Sequence, residues 1–334
     1  MANELSYVDE LTQLLSENYE RIRKSKVNFV DKRIRFLIAR LFTGKNELVD
    51  AERFFAADRA IKSELGFFTA LNGNVRASLA GLLVADGTDD RSDVLRLIQH
   101  YRELVEVKFG RSEFTYFAAY LLLKQENADS VATAKRAKEI YTCLKKFHPF
   151  LTGPEDATAS VMLASLDTSL SAQEIADIVE FYFQEFADLD FHKNNGLQAL
   201  AATAALLYGK KDRIFVTRVR TLLNELDKKG IKVKELYYNT IGILAYVNDG
   251  AKLDAHFFEL VSELSQVSGL KFFGKTFYTA LALSLYTEEV TGKMNQAQIE
   301  NLMVSVHVLI AIEQASAAAA AAAASAAAAN SSSN

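Results

Sequence analysis

Two kinds of apolar pattern alternate along this sequence. One is dense in small and apolar residues, as in residues 79–83 and 117–122. The other places apolar residues at the i, i+3, i+4 spacing of one helix face, as in residues 94–105. Both patterns have helical length, and neither alternates with the period of two that a half-buried strand shows. We therefore predict an all-α protein.

The dense segments recur at a regular interval, and each is followed by a polar break and a bulkier amphipathic helix. The steps between their last residues are 39, 44, 41, 39 and 39, for segments that end at Leu83, Leu122, Leu166, Leu207, Tyr246 and Leu285. A two-helix unit of about 40 residues is typical of stacked α-hairpins. We predict an α-α superhelix, TPR/HEAT-like, of about six stacked α-hairpins with a right-handed curvature. The alternative is a compact irregular bundle that shows this spacing by accident, and the sequence does not decide whether an array is open or closed.

The chain divides into three parts by pattern. Residues 1–62 predict an N-terminal helical cap of three helices, the second of them over 27–42, and residues 63–313 hold the hairpin array. Near the midpoint, Pro149 and Pro154 separate one helix from the next, because proline cannot continue a helix but suits its first turn. Residues 314–334 are nearly pure alanine and serine. Alanine favours helix, but no face can pack, so we interpret this low-complexity tail as frayed and functionally silent; the alternative is a spacer or docking helix.

Composition narrows the class of protein. The net charge of −4 and the pI near 5.9 predict no global attraction to nucleic acid or anionic lipid. The single cysteine, Cys143, excludes an internal disulfide, fits a reducing cytosol and is interpreted as a small core residue. The start of the chain does not resemble a signal peptide, and no apolar run approaches the roughly 20 residues that cross a bilayer. We predict a cytoplasmic protein without a membrane span.

One stretch matches a phosphate-binding motif by its letters. Residues 269–276 fit G-x-x-x-x-G-K-[ST], a loop that wraps phosphates between a strand and a helix. Here residues 257–267 have a helical pattern, the variable positions are bulky, and only 58 residues follow, which leaves no room for a parallel sheet. We interpret Gly269 as the end of a helix and predict a new helix near Gly274.

Metal-ligating residue types are scattered. The histidines at 100, 148, 192, 256 and 307 form no His-x-x-x-His pair. Asp188, Asp190 and His192 alternate as at the start of a calcium loop, but Lys193 stands where such a loop requires glycine. We interpret them as capping and solvated loop groups, and predict no metal and no cofactor.

A basic patch precedes the predicted array. Its members are Arg21, Arg23, Lys24, Lys26, Lys32, Arg33 and Arg35. Such a patch fits an acidic protein partner or a phosphate backbone. Because core-type residues alternate with these cations, a solvated helix face or pairing within the molecule is the alternative that we prefer, and nucleic acid is the least favoured partner.

Polar residues recur before the dense segments and give a second candidate surface. Arg76, Asn195, Gln198 and Asn239, together with His148 from the proline-containing break, would line a groove for a peptide or small ligand if the hairpins stack in register. For His148 alone, a core histidine with backbone partners is the simpler interpretation.

Two segments carry a family resemblance. His148-Pro-Phe-Leu-Thr152 and Asn195-Gly-Leu-Gln-Ala-Leu200, with their flanking hairpins, resemble an uncharacterised bacterial family, a domain of unknown function found mainly in Gram-positive species. The resemblance covers about residues 5–312. It implies an all-helical bacterial cytosolic protein and brings no catalytic residue with it.

Two functional hypotheses follow. The first is a non-catalytic helical-repeat scaffold or adaptor that binds a protein or peptide, because the repeat is clear and no catalytic constellation is. The second is an enzyme or small-ligand receptor with a concave pocket near His148, Asn195 and Gln198. The sequence identifies no ligand, pathway or oligomeric state.

Overall fold

The computed structural model describes residues 6–28, 30–65, 71–125, 129–166, 168–248 and 253–292. These residues form fourteen α-helices and no strand. Two short 3₁₀-helices, Glu235–Tyr237 and Leu270–Phe273, precede α12 and α14. The α-helices are α1 Tyr7–Lys24, α2 Lys32–Gly44, α3 Ala51–Leu65, α4 Gly73–Ala85, α5 Arg91–Glu106, α6 Glu113–Leu123, α7 Ser130–Phe147, α8 Asp156–Leu163, α9 Ala172–Ala187, α10 Asn195–Tyr208, α11 Arg213–Lys228, α12 Tyr238–Val247, α13 Ala255–Leu264 and α14 Gly274–Gly292.

Successive helices pack in pairs that close into a ring. Each odd-numbered helix packs against the even-numbered helix that follows it, so the described part of the chain contains seven α-hairpins. The even-numbered helices contact one another in order, and α14 then contacts α2, while α13 contacts α1. The even-numbered helices form the inner layer and the odd-numbered ones the outer layer.

The two apolar patterns in the sequence explain the two layers. The inner helix α6 buries every residue from Thr115 to Leu123, whereas the outer helix α5 buries mainly one face, with Val94, Leu97 and Ile98 among its core residues. A helix that is apolar all round needs neighbours on every side. Each fully buried leucine or phenylalanine contributes roughly 1.5–3 kcal/mol of transfer free energy, so the inner ring is the main hydrophobic core.

Helix ends are specified locally. Ser6 begins α1 and Ser171 begins α9 with capping boxes, in which the hydroxyl accepts from the N3 amide and the N3 carboxylate accepts from the cap amide. Gly209 ends α10 with φ 62°, a left-handed conformation that glycine adopts without strain. Small residues also let inner helices approach. A Cβ on Gly81 would lie 2.7 Å from Cγ2 of Ile38.

The junction of hairpins α1–α2 and α13–α14, which we call the seam, has its own contacts. Arg40 is 1% exposed, and its Nη1 donates to Oγ of Ser284 at 2.7 Å and to Oε1 of Glu288 at 2.6 Å. Toward the other end of α2, the ring of Phe36 stacks on Tyr19 at 4.1 Å and meets the edge of Phe273 at 6.3 Å. A buried ion pair and an aromatic cluster therefore join the first hairpin to the last.

The structure confirms the predicted all-α fold of stacked hairpins and refines it in three ways. The array is a closed ring, which the sequence left undecided. The hairpin unit is an amphipathic helix followed by a dense one, the reverse of the order in which the sequence was divided. The predicted cap packs as part of the array. Its helices α1 and α2 form one hairpin, and α3 pairs with α4 across the predicted boundary at residue 62.

Local boundaries also shift. The helix predicted over 27–42 begins at Lys32, capped by Asp31. The predicted tail, 314–334, and His307 lie outside the described residues. None of the helices within the described ranges is long and apolar enough to cross a membrane.

Candidate functional site

Every inner helix begins at the same end of the ring, which we call the entry end. The connections that lead from an outer helix to the next inner helix lie there. Three predicted groove residues, Arg76, Gln198 and Asn239, fall in the first turns of α4, α10 and α12, and Asn195 is the first residue of α10. These polar positions therefore lie at the entry end, and the groove for a ligand stays a prediction.

At the entry end, Arg76 joins neighbouring helices. Its Nε donates to Oδ1 of Asp58 on α3 at 2.7 Å, and the carboxylate of Asp58 is 7% exposed. Two residues earlier, Oδ1 of Asn74 accepts from the backbone N–H of Asp31 at 2.7 Å. Arg76 therefore joins the two helices of its own hairpin, and Asn74 joins that hairpin to the first one.

Gln198 lies in a buried polar cluster with Thr152 and Asp156. Its Nε2 donates to Oγ1 of Thr152 at 3.0 Å and to Oδ1 of Asp156 at 2.9 Å. Burial raises the pKa of Asp156 to about 7, against the opposing effect of the hydrogen bond from the N–H of Gly153. Oε1 of Gln198 is buried and has no hydrogen-bond partner among the described residues.

The neighbouring polar residues connect α8, α10 and α12. Nδ2 of Asn195 donates to Oε1 of Glu155, and the N–H of Gly196 donates to Oε1 of Glu235 at 3.0 Å. A Cβ on Gly196 would meet Cγ of Glu235 at 2.4 Å, so glycine is what allows this approach. Oδ1 of Asn239 is buried and, within the described part of the chain, has no hydrogen-bond partner.

His148 occupies the outer layer. As the C-cap of α7, it places Nε2 2.6 Å from Oε2 of Glu180 on α9, and its ring lies 4.1 Å from that of Phe183. Its carbonyl oxygen accepts from the N–H of Thr152 at 2.9 Å. The structure therefore connects His148 to Gln198 only indirectly, through Thr152, and its side-chain partners are on α9 rather than the backbone partners that the core interpretation expected.

A cleft of about 310 Å³ lies at the entry end between α3, α5 and α6. Tyr101 and Tyr116 form one wall, stacked with ring centroids 3.8 Å apart. Burial raises the pKa of Tyr116, so its hydroxyl stays neutral. The remaining lining combines both signs of charge with apolar side chains, namely Glu64, Leu65, Ile98, Arg102, Val105, Glu106 and Arg111.

The predicted basic patch is partly paired within its own helices. Arg21 binds Glu17 at 2.9 Å, Arg23 binds Glu20 at 2.6 Å, and Lys24 lies 4.0 Å from Glu20. Arg33 binds Asp31 at 3.4 Å, and Nζ of Lys26 lies 5.7 Å from the ring centroid of Phe55. Lys32 has no ion pair in the described residues, and neither does Arg35.

The remaining motifs have structural roles. A 3₁₀-helix spans Leu270–Phe273 and α14 begins at Gly274, as predicted, but α13 ends at Leu264, five residues before Gly269. Asp188, Asp190 and His192 are exposed in the connection between α9 and α10, and Cys143 is free and half-buried. Within the described ranges, no group of three or more His, Cys, Asp and Glu residues could hold a metal ion.

Sequence reasoning missed the cleft and Asp156. The cleft depends on which outer helices become neighbours, a relation that no local pattern contains. Asp156 had a local signal, because it is a carboxylate two residues after Pro154, and it is the first residue of α8 as Asn195 is of α10.

Fold and site together define a closed ring of α-hairpins with a polar entry end. The sequence profile of the DUF4003 family, described as a protein of unknown function, matches residues 18–315, so the chain belongs to that family. It is also similar to the Bacillus subtilis protein described as "Uncharacterized protein YeaA", with 25% identity over 286 residues that cover 85% of each chain. No solved structure gives a significant match.

Proposed function

We propose that this protein is a non-catalytic adaptor that binds a protein or peptide partner at the cleft between α3, α5 and α6. The observation that carries the proposal is the lining of the cleft. A stacked tyrosine pair offers a rigid apolar wall, and Arg102, Arg111, Glu64 and Glu106 offer charges of both signs. Tyrosine and arginine are the side chains that contribute most at protein interfaces.

The chemistry of the entry end favours binding over catalysis. A general acid or base must face the substrate with an accessible proton site. Arg76 instead binds Asp58 within its own hairpin, and Asn195 and Gln198 bind Glu155 and Asp156 of the neighbouring hairpin. The raised pKa of Tyr116 also disfavours its use as a base.

A second candidate, a small-ligand receptor, is favoured by one observation. Oε1 of Gln198 and Oδ1 of Asn239 are buried acceptors without partners in the described residues, on neighbouring helices. Buried polar atoms usually have a partner, so a ligand that donates hydrogen bonds would satisfy both. This site and the cleft are separate, and substitutions can test them independently.

Site-specific photo-cross-linking in cells of the natural host tests the adaptor proposal. A photoreactive amino acid in place of Arg102, an exposed residue of the cleft, should cross-link one defined protein. The matched control places it at Thr221, which is exposed on α11 away from the cleft. Charge reversal at Arg111 should reduce the Arg102 cross-link about tenfold. Equal cross-linked products from both positions would count against the adaptor. A co-purified metabolite that Gln198→Leu releases would also count against it and would support the receptor.

A further inference from the structure

Phe272 is displayed to solvent from a rigid support. It is 92% exposed, although both flanking segments are packed. Leu270 is fully buried, and the ring of Phe273 lies 6.3 Å from Phe36 and 5.2 Å from Phe277. An exposed phenylalanine on a well-packed 3₁₀-helix is held outward by its neighbours, and it contributes nothing to the core.

Closure of the ring brings cation-rich connections to the part of the entry end that carries Phe272. The connections of three adjacent hairpins, together with the helix ends that flank them, lie at the entry end at and beside the seam. Their described residues are 24–28, 30–35, 228–235 and 264–275. They contain eleven cationic side chains and two carboxylates, Asp31 and Glu235. We call these residues the basic sector. Its cations are Lys24, Lys26, Lys32, Arg33, Arg35, Lys228, Lys229, Lys232, Lys234, Lys271 and Lys275.

Several of these charges have no ion pair. Lys228 binds Glu225 at 2.8 Å, and Nζ of Lys229 lies 5.1 Å from the ring centroid of Phe258. Lys32, Lys232, Lys234, Lys271 and Lys275 are exposed and have no carboxylate partner among the described residues. Of the two carboxylates, Asp31 binds Arg33 and Glu235 accepts from Gly196, and neither forms an ion pair with these five lysines.

We infer that the basic sector is a docking surface for an anionic phospholipid bilayer, with Phe272 as the inserted side chain. Lysines near an anionic leaflet are attracted to its surface potential, and aromatic rings settle at the interface between headgroups and acyl chains. Leu236, 41% exposed beside Lys234, adds a second apolar contact. Exposed apolar side chains among lysines without ion pairs match a bilayer, whose surface is anionic and whose interior is apolar.

The net charge of −4 conceals this surface, because carboxylates outnumber cations in the rest of the chain, and one group of them lies at the opposite end of the ring. The connection between α4 and α5 carries Asp86, Asp89 and Asp90. Docking would therefore be oriented, with the basic sector toward the bilayer. The inference does not depend on the proposed adaptor role, since the cleft is formed by α3, α5 and α6.

Co-sedimentation with vesicles tests the inference on the full-length protein. The wild type should bind vesicles of phosphatidylglycerol and phosphatidylcholine in a roughly 3:7 ratio, should not bind phosphatidylcholine alone, and should be released by salt. Phe272→Ser should weaken binding by about tenfold or more, because a buried phenylalanine ring contributes that factor. Lys271→Glu combined with Lys275→Glu should abolish binding, whereas Lys271→Arg with Lys275→Arg should preserve it.

Phe150 supplies the matched control. It is 99% exposed at the same end of the ring but lies outside the basic sector. Phe150→Ser should change vesicle binding less than about twofold. Absence of binding to anionic vesicles would overturn the inference. Tighter binding to double-stranded DNA or to heparin than to vesicles, unchanged by Phe272→Ser, would also overturn it and assign the sector to a polyanion.

Discussion

Hairpins of the same kind form both sides of the entry end, but the polar side chains of the two sides have different partners. On the seam side, the basic sector contains lysines without ion pairs and the exposed Phe272. On the far side, formed by the connections α7–α8 and α9–α10, carboxylates and amides bind one another, as Glu155 binds Asn195 and Asp156 binds Gln198. The comparison teaches that helix packing holds the ring together, so each connection is free to acquire its own chemistry.

Removing the seam ion pair should have the largest effect. Arg40→Ala should lower the free energy of unfolding by about 3–5 kcal/mol, because the carboxylate of Glu288 would keep its buried position without the guanidinium. Urea unfolding measures this loss. Arg40→Met with Glu288→Leu, which replaces the pair by apolar groups of similar size, should recover most of it. A loss below about 1 kcal/mol for Arg40→Ala would show that the seam does not depend on this pair.

Two glycines compare two interfaces of the inner layer, α2 with α4 beside the seam and α10 with α12 farther from it. Gly81→Ala should cost about 1–3 kcal/mol, because its Cβ would meet the stiff β-branched Ile38 at 2.7 Å. Gly242→Ala should cost less, because its Cβ would meet only the terminal Cδ1 of Leu200 at 2.6 Å, which can rotate, and alanine favours helix. Thermal unfolding of both variants measures the difference, and equal losses would contradict it.

Asp156, on the far side of the entry end, should make the free energy of unfolding depend on pH. The folded protein holds this proton with a pKa of about 7, above that of an unfolded aspartate, so protonation favours folding. The contribution is complete below about pH 4 and is lost as the pH rises through about 7. Asp156→Asn should remove at least about 1 kcal/mol of this dependence between these limits, as measured by urea unfolding across pH. An unchanged pH profile would show that Asp156 titrates normally.

The smallest stability effects should come from the exposed phenylalanines. Phe272→Ser and Phe150→Ser should each change the free energy of unfolding by less than about 0.5 kcal/mol, because neither ring is packed. Urea unfolding of the two variants side by side provides the measurement. A larger loss for Phe272→Ser alone would mean that its ring packs in the folded protein. The ring would then not be available to insert into a bilayer, which would contradict the docking inference.

Much of the fold was predictable because its signals are local. The spacing from Leu83 to Leu285 predicted the hairpins, and the helix predicted near Gly274 begins there as α14. The seam was not predictable, since Arg40 and Ser284 are 244 positions apart and the sequence around one residue does not indicate the other as its partner. The basic sector was seen only as residues 21–35 for the same reason. Gln198 was correctly placed at a helix start, whereas its partner Asp156 and the partner of His148, Glu180, depended on the order of hairpins around the ring.

Closure also changes what a single break in the backbone would do. In an open array, cutting one connection leaves two pieces that share one interface. Here, cleavage after Lys210 or Lys211, in the exposed turn between α10 and α11, would leave pieces that still share two, α10 with α12 and α14 with α2. The nicked protein should therefore elute from a sizing column as a single particle, because two interfaces still hold the two pieces together.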